Sequence, residues 1–270
     1  MPLGIDKFFS RIPHEIKELF NGEPPWRALD LLKGHIRRLI RPNLPNPAEI
    51  DDLFQPGIPL ATNVVLLPDG YLTEGFEILC NDDTGGKVEI WIEGEKVPMA
   101  SLICAGAVFT DGQAQIGNGV VIESGAMIKG PSIIGDGVEI RQGAYVRGDC
   151  FVGDGCVIGH VTELKHSIMM DGAKAGHFAY IGDSILGVDV NLGAGVKLAN
   201  LAFAQGDVII RTKEGVIDTG RRKFGAILGD GVQAGCNSVT NPGVLLGYGS
   251  VVAPLASVPP GIYRPHSVIR

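Results

Sequence analysis

An aliphatic side chain falls on every sixth residue from Ile116 to Leu164: Ile116, Ile122, Ile128, Ile134, Ile140, Val146, Val152, Ile158 and Leu164. Four residues after each of these but the last comes a short side chain, in turn Val120, Ala126, Ser132, Val138, Ala144, Cys150, Cys156 and Thr162. A period of six fits neither the turn of an α-helix nor the alternation of a plain strand. It is the pattern of a parallel β-helix of hexapeptide repeats, each hexad a short strand plus a turn. The aliphatic residue points inward, the short one fits the tight corner, and successive coils stack through parallel ladders. The expected fold is mainly β, with a short helical region at the N-terminus.

The rest of the composition agrees. Glycine, at 39 of 270 residues, is about twice its average usage, and aromatic residues make up only 6%. Tight turns filled by aliphatic side chains account for both. A net charge of −7 argues against nucleic-acid binding, which needs a basic footprint. No apolar run reaches the roughly 18 residues of a membrane span, and Met1 to Lys17 lacks the apolar core of a signal peptide. A cytoplasmic protein is the default expectation. The five cysteines (Cys80, Cys104, Cys150, Cys156 and Cys236) show no CxxC spacing, and Cys150 and Cys156 occupy inward repeat positions as buried free thiols.

Three regions are expected: a helical segment over 1–45, a linker and irregular β capping region over 46–105, and the β-helix over 106–270. Ile5, Phe8, Phe9, Ile12, Ile16, Leu19 and Phe20 recur at helical spacing, with Pro13 able to break the run. A second amphipathic segment carries Trp26, Leu29, Leu32, Ile36, Leu39 and Ile40, between Pro24-Pro25 and Pro42/Pro45. Arg37, Arg38 and Arg41 on it form either an anion site or a solvated face. In the second region Asp69-Gly70 and Gly85-Gly86 separate alternating runs, which suggests small hairpins. Within the repeat the register slips near Met170–Ile181, resumes at Leu186, Leu192 and Leu198, and skips Thr240. Residues 203–225 have no hexad pattern and read as a loop or hairpin extruded from a corner; long insertions in a compact solenoid are usually functional.

Two constellations could carry chemistry. Three hexads make a coil of about 18 residues, so Lys129, Arg147 and Lys165 should stack along one edge. Such a ladder is either balanced by acids or clamps an anion such as phosphate. The second is Lys174-Ala-Gly-His-Phe-Ala-Tyr-Ile-Gly-Asp183, placed on the register slip, in which His177 can take a proton near neutral pH. Asn191 and Asn200 are hydrogen-bonding groups downstream, though asparagine is also an ordinary turn residue. Arg221-Arg222-Lys223 closes the insertion as either an anion contact or a solvated loop.

At these residues the chain resembles a known family. Glu163-Leu-Lys165, the His177 run and Asn191-Leu-Gly-Ala-Gly195 look like the acetyltransferase half of bacterial bifunctional N-acetylglucosamine-1-phosphate uridyltransferase/glucosamine-1-phosphate acetyltransferase. Asp218-Thr-Gly-Arg-Arg-Lys-Phe-Gly225 looks still more like the C-terminal domain of archaeal bifunctional sugar-1-phosphate nucleotidylyltransferases. The resemblance covers about Gln113 to Pro254. It implies that His177 is a general base, that Arg147, Lys165, Tyr180, Asn191 and, more loosely, Lys223 contact the sugar phosphate, and that Asn200 lies near the acetyl donor. It also implies a left-handed coil, a homotrimer with sites between subunits, acetyl-coenzyme A as co-substrate, no metal, and a place in UDP-N-acetylglucosamine biosynthesis. The chain departs from the bacterial pattern on the donor side, with Leu201 in place of tyrosine and Cys236 in place of serine. Residues 1–105 contain no Gly-rich nucleotide loop, so nucleotidyl transfer is not expected from this chain, and a separate nucleotidyltransferase could be its partner.

The expected activity is acetyl transfer to an amino sugar 1-phosphate such as glucosamine-1-phosphate. Two alternatives stand beside it. One is a hexapeptide-repeat carbonic anhydrase, with His160, His166 and His177 near one another and His160 stacking on His177 if the slip absorbs one residue. The other is a non-catalytic sugar-phosphate or sugar-nucleotide binding or assembly subunit.

Overall fold

The computed structural model describes residues 4–22, 24–44, 54–81, 87–212 and 215–270. The turn expected at Gly85-Gly86 and the helix stop at Pro45 lie outside these residues. From Ser101 onward the chain winds as a left-handed parallel β-helix of about nine turns. Its three faces are parallel sheets. The first contains Val157–His160, Lys174–His177 and Asn191–Leu192; the second, Tyr145–Arg147, Glu163–Lys165 and Tyr180–Gly182; the third, Cys150–Val152, Ile168–Met169 and Ile185–Leu186. All nine aliphatic positions from Ile116 to Leu164 are buried in one continuous core, together with the eight short corner residues. Burying so many aliphatic side chains, at roughly 25 cal/mol per Å² removed from water, is the main stabilisation of a fold with little helix.

The coil length changes where the chemistry is expected. Val152 stacks on Met169 and Ile158 on Ala175, a spacing of 17 rather than 18 residues, and Met169 then stacks on Leu186 with the same spacing. The missing residue is lost at the corner between the second and third faces, once at His166 and again at Asp183. Met169, Ala175 and Ile181 therefore form regular hexads, and the slip falls just before the His177 run and again on its last residue, Asp183. Met170, where the sequence register begins to slip, is buried on the outer side of the third face. Two adjacent buried methionines hide the register. Thr240 is no gap either: it fills an inward position between Leu198 and Val258.

That outer side explains the N-terminal region. Ile133, Phe151, Ile168, Ile185, Ile227 and Leu245 stack in register as a second apolar ladder, facing outward on the third face. Against it pack Phe8, Phe9, Ile16, Leu19, Phe20, Trp26, Leu29, Leu32 and Ile36, all in one cluster. The first helical stretch forms short 3₁₀ segments, Ile5–Lys7 and His14–Phe20, divided by Pro13, which cannot continue a helix. The second forms α1, Arg27–Leu39, whose apolar stripe faces the solenoid. Arg38 is engaged by Glu18, and the Arg41 guanidinium donates to the carbonyls of Arg38, Leu39 and Ile40.

The insertion is a hairpin, Ile209–Thr212 against Gly215–Asp218, and it folds back rather than projecting freely. Val208, Ile210 and Phe224 join the α1 cluster, and Trp26 Nε1 donates to the Thr219 carbonyl at 3.3 Å. At the other end, Val64–Leu67 pairs antiparallel with Ser101–Ile103, covering the edge of the first coil.

Candidate active site

Backbone register on the second face sets one group of side chains. Lys129 pairs with Arg147, Val146 with Leu164 one coil on, and Lys165 with Gly182, so the register carries the basic edge on from Lys129 and a glycine follows Lys165. Both expected phosphate ligands already have acidic partners. Arg147 Nη1 donates to Glu163 Oε1 at 2.6 Å, and Lys165 Nζ donates to Asp183 Oδ2 at 2.9 Å. Gly182 is the opening that admits the next groups: a Cβ there would lie 2.5 Å from Tyr180 Oη and 2.7 Å from Asn200 Nδ2. Tyr180 and Asn200 thus converge over Gly182 beside Lys165. Burial, reinforced by Glu163 and Asp183, pushes the Tyr180 phenol up, so it is neutral and able to donate.

Asp183 binds this group together. Its side chain is only 5% exposed, and its carboxylate accepts from Lys165, from Asn200 Nδ2 at 2.6 Å and faces His166 Nδ1 at 2.9 Å. Burial alone would raise its pKa; the bonds from His166, Lys165 and Asn200 outweigh that and bring it down to about 2. The insertion leaves the coil at Asn200 and returns at Phe224, whose N–H donates to the Asn200 carbonyl at 2.9 Å. Lys223, exposed, is thereby set next to Asn200. Of its neighbours, Arg221 is spent on Asp30 and Asp183, and Arg222 on the carbonyls of Ala202 and Gly206.

A second group lies around the corner between the first and second faces. His177 ends a four-residue strand paired with the one ending at His160, and the two imidazoles stack with centroids 5.8 Å apart. Both strands carry the dipeptide Gly-His at their ends, Gly159-His160 and Gly176-His177. Backbones this close leave no room for a side chain at Gly159. Cys236, exposed, sits in the same corner column two coils further, with Ala194 between. Asn191 is exposed on the first face, in register with Lys174 rather than with His177. Within one chain, Lys165, Tyr180 and Asn200 therefore form one cluster beside Arg147, with Lys223 near it only along the backbone, while His177, Cys236 and Asn191 lie on the first face and its corner. Among the described residues no three His, Cys, Asp or Glu side chains are arranged to hold a metal ion.

Sequence reading missed Asp183 as a site residue, although it ends the quoted His177 run. The signal is the coil length: the 17-residue coils are shortened at that corner, and the residue there is an acid faced by Lys165 and His166.

The comparisons agree with this architecture. Residues 128–252 match the family model described as the GMPPB C-terminal domain. The chain is 43% identical over 101 residues to a bifunctional sugar-1-phosphate nucleotidylyltransferase/acetyltransferase of Sulfurisphaera tokodaii, which covers 37% of this chain and 25% of that one. It is 40% identical over 95 residues to the bifunctional protein GlmU of Methanococcus vannielii, covering 35% of this chain and 23% of the relative. The chain thus spans about a quarter of the length of these archaeal relatives. It is also 37% identical over 158 residues to the uncharacterized acetyltransferase YaiX of Escherichia coli (strain K12), covering 57% of this chain and 69% of that one. The chain belongs to this family of hexapeptide-repeat acetyltransferases. Among the described residues no helix is long and apolar enough to cross a membrane.

Proposed function

We propose that the protein transfers an acetyl group from acetyl-coenzyme A to the amine of an amino sugar 1-phosphate such as glucosamine-1-phosphate. The observation that carries this reading is the convergence of Lys165, Tyr180 and Asn200 over Gly182, one coil from Arg147. Two cations for a phosphate and a neutral phenol make a polar site suited to a phosphorylated sugar, with the Asn200 amide at its edge for the donor. The Sulfurisphaera tokodaii relative, whose name joins sugar-1-phosphate nucleotidyl transfer with acetyl transfer, supports the same chemistry.

In the proposed mechanism Arg147 and Lys165, assisted by Lys223, bind the phosphate, and Tyr180 and Asn191 orient the sugar. The amine nitrogen attacks the thioester carbonyl, the carbon–sulfur bond breaks, and coenzyme A leaves as its thiol. His177 accepts the amine proton and returns it to the departing sulfur. Asn200 and Cys236 lie on the donor side. Backbone N–H groups stabilise the oxyanion. Because His177 lies at the corner of the first face and the phosphate cluster on the second, the complete site is proposed to form between subunits of a homotrimer. We assign no nucleotidyl transfer to this chain; a separate nucleotidyltransferase would consume its product on the way to UDP-N-acetylglucosamine. The proposed setting is the cytoplasm, with no nucleic-acid or membrane partner.

One observation favours a second reading. Arg147 and Lys165 are both neutralised by acids, and the donor-side positions hold Leu201 and Cys236, which suits a subunit that binds sugar phosphate without transferring acetyl. Calorimetry separates the two. An acetyltransferase binds both acetyl-coenzyme A and glucosamine-1-phosphate; a sensor binds the sugar phosphate alone.

A further inference from the structure

We infer that Asp183 is a positioning residue for both substrates, an inference that rests on the acetyltransferase reading. Four groups meet on its carboxylate. Oδ2 accepts Lys165 Nζ at 2.9 Å and Asn200 Nδ2 at 2.6 Å; Oδ1 faces His166 Nδ1 at 2.9 Å and Arg221 Nη2 at 3.8 Å. A single oxygen therefore joins the side chain assigned to the acceptor phosphate and the one assigned to the acetyl donor. Moving that oxygen moves both.

The turn itself does not require an acid. The preceding coil rounds the same corner with His166 at φ 45°, where Asp183 has φ 48°. What the carboxylate adds is the hydrogen-bonded hub. The backbone holds it in place: its N–H donates to the Lys165 carbonyl at 3.0 Å, and its own carbonyl accepts from Gly225 at 2.9 Å. Asp183 is thus fixed between the coil bearing Lys165 and the returning end of the insertion. A carboxylate this buried is tolerated because every oxygen has a cationic or amide partner. Arg221 extends the hub outward. Its side chain is 10% exposed, and its other nitrogen pairs with Asp30 on α1, so the N-terminal helix sets the second carboxylate oxygen.

The test is steady-state kinetics on the full chain with Asp183→Asn and Asp30→Asn, using acetyl-coenzyme A and glucosamine-1-phosphate. Asparagine keeps the shape but cannot accept from all four partners. Loss of charge-assisted bonds of this kind corresponds to about 10-fold or more, and Asp183→Asn should raise KM for both substrates by that order. Asp30→Asn should raise both KM values in the same direction by less. A merely structural role would lower the active fraction, and thus apparent kcat, with both KM values unchanged; that result overturns the proposal. Should Asp183→Asn fail to fold, the partly exposed Asp30 carries the test, and unchanged KM values in Asp30→Asn overturn it. A wild-type protein that neither turns over nor binds either substrate would instead sink the acetyltransferase reading, and the positioning role with it.

Discussion

His177 lies one coil above His160, its imidazole stacked on the lower ring at 5.8 Å between centroids. The pairing exists because one coil of 17 residues brings Gly159-His160 and Gly176-His177 into register. In the proposed mechanism His177 is the base. His177→Ala should lower acetyl transfer by roughly 10²–10⁴-fold while sugar-phosphate binding, measured by calorimetry, is largely retained. Unchanged turnover would remove His177 from the reaction.

Gly159 tests the same stack from below. An alanine Cβ there would overlap the Gly176 carbonyl, so the two strands must part just where the histidines meet. Overpacking of this kind costs about 1–3 kcal/mol. Gly159→Ala should lower the thermal midpoint and depress turnover more than Gly22→Ala, whose Cβ would meet nothing within 4 Å. Equal behaviour of the two variants would contradict the close approach.

The Asp183 hub makes stability depend on acid. The carboxyl has an ordinary value of 3.8 and is held at about 2 in the folded chain. A depressed carboxyl stabilises the fold above its unfolded value and loses that contribution as pH falls through the folded one. The shift corresponds to about 2 kcal/mol, fully present above pH about 4 and declining toward pH about 2. Denaturant titrations should find the gap between wild type and Asp183→Asn shrinking across that window. A constant gap would show that the carboxylate is not held this way.

Much of this is legible in the sequence. The hexads identified the β-helix because its core repeats every six residues without exception from Ile116 to Leu164, and the stacking of Lys129 on Arg147 follows from counting. The corner at His166 is not legible, because a single missing residue is masked when the outward neighbour is also apolar, as Met170 beside Met169 shows. The outward ladder of Ile133, Phe151, Ile168 and Ile185 escaped notice for the same reason. Apolar residues flanking an inward position read as noise until another element is known to cover them.

That cover can be measured. Leu32 of α1 is fully buried against the third face, and Leu32→Ala should cost about 2–5 kcal/mol in denaturant unfolding. The neighbouring Leu31 is 55% exposed, and Leu31→Ala should cost far less. Similar losses for both would mean that α1 does not pack on the ladder.

The thiols divide by burial. Desolvation pushes Cys150 and Cys156 up to about 12, whereas Cys80 and Cys236 are exposed. Because the thiolate is the reactive form, a brief iodoacetamide treatment of the folded protein should label Cys80 and Cys236 and spare Cys150 and Cys156. Mass spectrometry of the digest reads this directly. Labelling of Cys150 or Cys156 in native protein would contradict the packing of those corners.

The central claim is acetyl transfer to an amino sugar 1-phosphate, and the most direct measurement is thiol release from acetyl-coenzyme A against a panel of these acceptors. The account predicts release that requires an amino sugar bearing the 1-phosphate and that falls sharply in His177→Ala. Release with none of the panel, while the sugar phosphates still bind, would contradict it and leave a binding subunit in its place.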